Sequence, residues 1–149
     1  MIDPDNVPAV DLDETVARYV LASKVSRLVF EDGGAKPQLF YPYKHVDLSV
    51  NRHLDCTQEE VWRFGNGVAE HQGKTLQGRF DISVNDCTIG SLKVEASQIK
   101  DHPSGVPDNP NHADVIGFPE TKADQKVLGL NLAEKAGKRI PPPANDGSD

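Results

Sequence analysis

No apolar run in this chain approaches the roughly 20 residues needed to cross a bilayer, which argues against a membrane span. Cysteine is nearly absent. Cys56 and Cys87 are the only two, they do not have the spacing of a zinc pair, and nothing near them suggests a secretory context that would favour a disulfide. Both are expected to be reduced and partly buried. The N-terminus, Met1-Ile2-Asp3-Pro4-Asp5, lacks the basic and then apolar character of a secretory signal, so the expected location is cytoplasmic. Familiar catalytic spacings are missing too: there is no G-x-S-x-G elbow, no Walker loop, no G-x-G-x-x-G and no H-E-x-x-H. Gly33-Gly34-Ala35-Lys36 is too short to cradle a phosphate and reads as a turn. Positive charge is scarce, with 16 Lys and Arg against 23 Asp and Glu and a net charge of −7. Such a surface repels phosphate backbones and disfavours non-specific nucleic-acid binding. Lys122, Lys126, Lys135, Lys138 and Arg139 fit the solvated face and last turn of a helix.

At 149 residues, 37% hydrophobic and 26% charged, the chain suits one globular domain. We place that domain at residues 1–140, with 1–10 irregular and 141–149, beginning Pro141-Pro142-Pro143, a disordered tail. Leu12, Val16, Tyr19 and Val20 recur at helical spacing behind Asp11 or Asp13, predicting a first helix to about Lys24. Arg27 to Phe30 and Gln38 to Tyr41, around Gly33-Gly34, predict a hairpin, and Val46 to Asn51 alternates as a strand. Thr57-Gln58-Glu59-Glu60 is a capping box that opens a helix with Val61, Trp62, Gly65, Val68 and Ala69 on its packed face and Gly73 as terminator. Phe80 to Asn85 predicts a strand, and Leu92, Val94 and Ala96 another paired with it. After a proline-rich loop from Gln98 to Asn111, Ala113 to Phe118 is the last strand. A final helix opens at Thr121 with Asp124, buries Ala123, Val127, Leu128, Leu130 and Leu132, and ends at Gly137. The fold class is α+β: an antiparallel sheet of about five to six strands with two to three helices packed mainly on one face.

Three of the five histidines carry an aspartate two residues on: His45-Val46-Asp47, His53-Leu54-Asp55 and His112-Ala113-Asp114. In a strand, such pairs project to one face, where a carboxylate can orient an imidazole. His112 and Asp114 are the catalytic candidates, because His112 leaves a long loop and enters a strand. His45, Asp47 and His112 form an alternative two-histidine, one-carboxylate set for a divalent metal; otherwise no cofactor is expected. Asp47, Ser49 and Asn51 on one strand match Asp81, Ser83 and Asn85 on another. With Asn111, these rows form either a solvated sheet face or a binding platform.

The segment His112-Ala113-Asp114-Val115-Ile116-Gly117-Phe118-Pro119, with the Lys-rich helix after it and a fainter echo in Val46 to Gly65, resembles the closing part of small bacterial proteins of unassigned function. The resemblance implies a bacterial or phage-like origin and no particular activity. The leading expectation is a binding or accessory protein, a regulatory or structural subunit acting through a protein partner. The alternative is a His/Asp-dependent, metal-assisted hydrolase or phosphodiesterase.

Overall fold

The computed structural model describes residues 1–42 and 47–144. Five antiparallel strands form one sheet in the order β3-β1-β2-β5-β4. They are β1 (Thr15–Leu21), β2 (Leu48–Arg52), β3 (Leu76–Ser83), β4 (Lys93–Ala96) and β5 (His112–Ile116), with helices α1 (Gln58–Gln72), α2 (Val84–Cys87) and α3 (Lys122–Lys135). The α+β architecture is the one the sequence pattern implies. No helix among the described residues is long and apolar enough to cross a membrane.

The expected first helix is instead β1, a strand hydrogen-bonded on both sides. Val16 and Val20 lie four apart, a spacing that satisfies a strand's period of two as well as a helix's 3.6. Both are buried in the main core, while Ala17 and Tyr19 point to the opposite face, against α1. The expected hairpin reduces to the single bridge Val29↔Ala35 between two 3-10 turns, Val25–Arg27 and Pro37–Phe40. Pro37 removes a ladder donor and favours the second turn over a strand. Nor does β3 pair with β4. The Ser83 hydroxyl accepts the Asp86 amide, capping α2 and turning the chain away to the far edge, where β4 pairs with β5.

The main core lies on one sheet face. It joins Val16, Val20, Phe80, Ile82, Leu48, Val50, Ala113 and Val115 to Leu39 and Phe40, to Val84 and Cys87 of α2, and to Leu132, Ala133 and Ala136 of the α3 end. Two of the three helices thus cover this face, and α1 lies across the other. In α3 the buried residues are Gln125, Gly129, Leu132 and Ala133. Val127 is 60% and Leu130 48% exposed, and Ala123 is exposed too, so the expected packed face is corrected. Apolar residues surround α3, and Gly129 selects its face: a Cβ there would meet Tyr41 at 2.7 Å and the Pro37 carbonyl at 2.9 Å.

α1 begins and ends where its sequence signals place it. Thr57 accepts the Glu60 amide while Glu60 accepts the Thr57 amide, and Gly73 closes the helix at φ +65°. Its packed face meets Tyr19, whose hydroxyl donates to the Val61 carbonyl. A Cβ on Gly65 would stand 2.7 Å from the Tyr19 ring. Because the hydroxyl pins that ring, it cannot swing aside. Gly65→Ala is therefore expected to destabilise the fold by about 1–3 kcal/mol, despite the better helix propensity of alanine; an unchanged urea midpoint would show that α1 can move off the sheet freely.

Candidate functional site

Past their short paired stretch, β1 and β2 part company. Their ladder has only the pairs Val16↔Arg52 and Ala17↔Asn51. Beyond it, the Arg18 side chain takes over: Nη1 donates to the Ser49 carbonyl at 3.0 Å and Nε to the Leu39 carbonyl at 2.9 Å. The opening is a cleft of about 1320 Å³, larger than the roughly 300–1,000 Å³ of ordinary ligand pockets. One wall is a face of α1 with Phe64, Gly67, Val68 and His71; another is the loop carrying Val106 and Pro107; the floor includes Ser49, Asn51 and His112. The bridge between Ile99 and Asn109, with amide-to-carbonyl distances of 3.0 and 2.9 Å, closes the base of that loop. Pro107 at its tip sits over Gly67, where a Cβ would find it at 3.5 Å.

Three asparagines brace the floor. Asn109 donates to the Asn51 side chain at 2.7 Å, and Asn51 donates to the Arg52 carbonyl at 3.1 Å. The Asn111 amide donates to the Arg52 and Leu54 carbonyls and its oxygen accepts the Ile2 amide at 3.0 Å. Asn51 and Asn111 are buried. Of the two expected polar rows, Ser49 and the buried Asn51 reach the cleft floor and Asp47 is exposed before β2, whereas Asp81 is bound by His53 and Arg79, Ser83 caps α2 and Asn85 is exposed on α2.

His112 stands in the cleft floor. Its Nδ1 lies 2.8 Å from the Ser97 carbonyl; a carbonyl only accepts, so Nδ1 carries the proton. That leaves Nε2 facing Asp114, whose carboxylate is 3.9 Å away. The two share a face as expected, beyond direct hydrogen-bond reach. His45 lies outside the described residues. Asp47 and His112 do not form the expected metal pair, because His112 is opposite Asn51, four residues or roughly 13 Å along β2 from Asp47. Among the described residues no group of three His, Cys, Asp or Glu side chains is placed to hold one ion.

The third pair also dissolves. Asp55 has φ +57°, and the same-face rule requires extended backbone. His53 instead meets Asp81 at 2.9 Å. Arg79 binds the same carboxylate at 3.0 and 3.2 Å, reaches Gln58 at 2.5 Å, and stacks 4.6 Å over Trp62. Sequence reasoning missed Arg79 and Trp62 here, and Arg18 in the cleft. Only Arg18 left a signal: it is a lone cation inside the apolar run from Val16 to Leu21. The thiols are free, and burial pushes both up, Cys87 to about 12, so little thiolate exists near neutrality.

Comparison of the chain with models of protein families, with curated proteins and with solved structures gives no match.

Burial pushes the Asp81 carboxyl up, but the hydrogen bonds from His53 and Arg79 together outweigh it and hold the group below its ordinary value. A depressed folded-state pKa contributes stability above the unfolded pKa, near 3.9, and loses it as the pH falls through the folded value. Asp81→Asn is therefore expected to be less stable than the wild type at pH 6, with the gap narrowing steadily below about pH 4. Urea titrations across that range check this, and a gap independent of pH would rule out the carboxylate as its source.

Proposed function

We propose that this protein works by binding, with the cleft between α1, the sheet and the 99–109 segment as its recognition site. One observation carries the reading: the β1–β2 ladder breaks off to leave a large concavity with apolar walls and a few inward-facing polar groups, the usual make-up of a ligand site. An accessory or regulatory role through a protein partner extends the reading. Its support is narrower, resting on the exposed Val127 and Leu130 of α3. The rival reading, hydrolysis with His112 as base, is favoured by the position of His112 in the same floor. In that reading the Ser97 carbonyl, and not Asp114 at 3.9 Å, orients the imidazole and leaves Nε2 without its proton.

Val68 is half-buried on the α1 wall, and a larger side chain there fills the cleft. In a thermal-shift screen of small organic compounds, those that raise the melting temperature of the wild type are expected to lose the effect in Val68→Trp. Compounds that stabilise both proteins equally would place binding elsewhere. Hydrolysis of generic ester or phosphodiester substrates, abolished in a folded His112→Ala, would favour the rival.

A further inference from the structure

The charges around the cleft are the reverse of those of the chain. The protein carries a net charge of −7, yet Arg18, Arg27, Arg63 and Lys74 border the cleft against a single carboxylate, Asp108. Arg63 and Lys74 are exposed, where solvent screens them. Arg18 is different: it is half-buried at the bottom of the gap between the strands.

A guanidinium has five N–H donors. Arg18 spends one on each of two backbone carbonyls, leaving three, and has no carboxylate partner among the described residues. Its free donors include those of Nη2 and one of Nη1, a fork that matches the two oxygens of a carboxylate. Contrast the other buried arginines: Arg52 is matched by Glu14 and Arg79 by Asp81. Burial lowers the Arg18 pKa to about 10, so it remains charged at neutral pH.

We infer that the cleft binds an organic carboxylate with an apolar body, the carboxylate meeting the free fork of Arg18 and the body lying against Phe64, Val68 and Leu28. The assignment rests on the binding reading of the cleft. A monoanion matches the one guanidinium of the cleft that is shielded from solvent, since Arg27, Arg63 and Lys74 are exposed and their charges are screened.

Octanoate and octanamide have the same length and differ in charge, so isothermal titration of the wild type with each isolates the role of the anion. Octanoate is expected to bind at least about tenfold more tightly, the value of one charge-assisted hydrogen-bonded contact. Arg18→Gln should bring the two affinities together while leaving that of octanamide nearly unchanged, and Val68→Trp should abolish both. The wild-type comparison needs no variant, so it stands even if Arg18→Gln folds poorly. Equal affinities in the wild type, both lost in Val68→Trp, would overturn the carboxylate assignment and leave the cleft reading intact. So would failure of both probes while the screened compounds still depend on Val68. Binding of octanoate unaffected by Val68→Trp would overturn both.

Discussion

The buried guanidinium of Arg52 is the contact on which the rest of the arrangement depends. It has no exposed surface and sits at the end of β2, beside the start of β1. Glu14 accepts from Nε at 2.7 Å and from Nη2 at 2.8 Å, and the Pro8 and Ala9 carbonyls accept two of the other three donors at 2.7 and 3.3 Å. A buried charge without such partners would cost several kcal/mol. The segment from Pro8 to Glu14 therefore has one place to lie, and the entry of β1 is fixed with it. The Arg52 backbone extends the constraint: its amide donates to Asn111 and its carbonyl accepts from both Asn51 and Asn111. One residue thus joins the N-terminal segment, two strands and the end of the long loop.

From that anchored end, the two central strands diverge. Pairing is tight at Arg52 and Asn51 and stops there; Arg18, two residues further along β1 from Val16, fills the gap with a side chain where a ladder would have used backbone. The same sheet therefore holds two kinds of arginine. Arg52 and Arg79 close charge pairs inside the protein, whereas Arg18 is held by neutral carbonyls and lines the cleft with donors unspent. Backbone carbonyls orient a cation without cancelling it, so Arg18 keeps its charge at the cleft wall.

The legible parts of the fold were those where local chemistry decides. The capping box at Thr57, the N-cap Thr121 and the αL glycine Gly73 depend on residues a few positions apart, and each has the predicted role, while the alternation of β2 holds from Leu48 to Val50 and breaks at Asn51. What failed depended on tertiary partners. Val16 and Val20 fit two periods at once, and only β2 and β3 on either side decide between them. Val127, Leu128, Leu130 and Leu132 surround a helix, and only the close approach of Tyr41 to Gly129 picks the buried face. In the candidate site, His112 and Asp114 were found because a strand puts them on one face. Arg18 was overlooked because an arginine among valines and leucines reads as a flaw in a pattern until its neighbours are seen.

The two histidine–aspartate contacts bear on binding against catalysis in opposite ways. His53 and Asp81 have the short distance that orients an imidazole, 2.9 Å, but Arg79 shares the carboxylate and Trp62 covers Arg79; the pair ties the end of β2 to β3. His112 lines the cleft, its carboxylate 3.9 Å away and its Nδ1 proton fixed on the Ser97 carbonyl. Each imidazole is held by a hydrogen bond and the two are about equally buried, but His112 lines the cleft without a direct carboxylate contact and His53 has that contact outside the cleft. A binding site needs only access to the cleft, together with a charge to recognise, and that charge is Arg18.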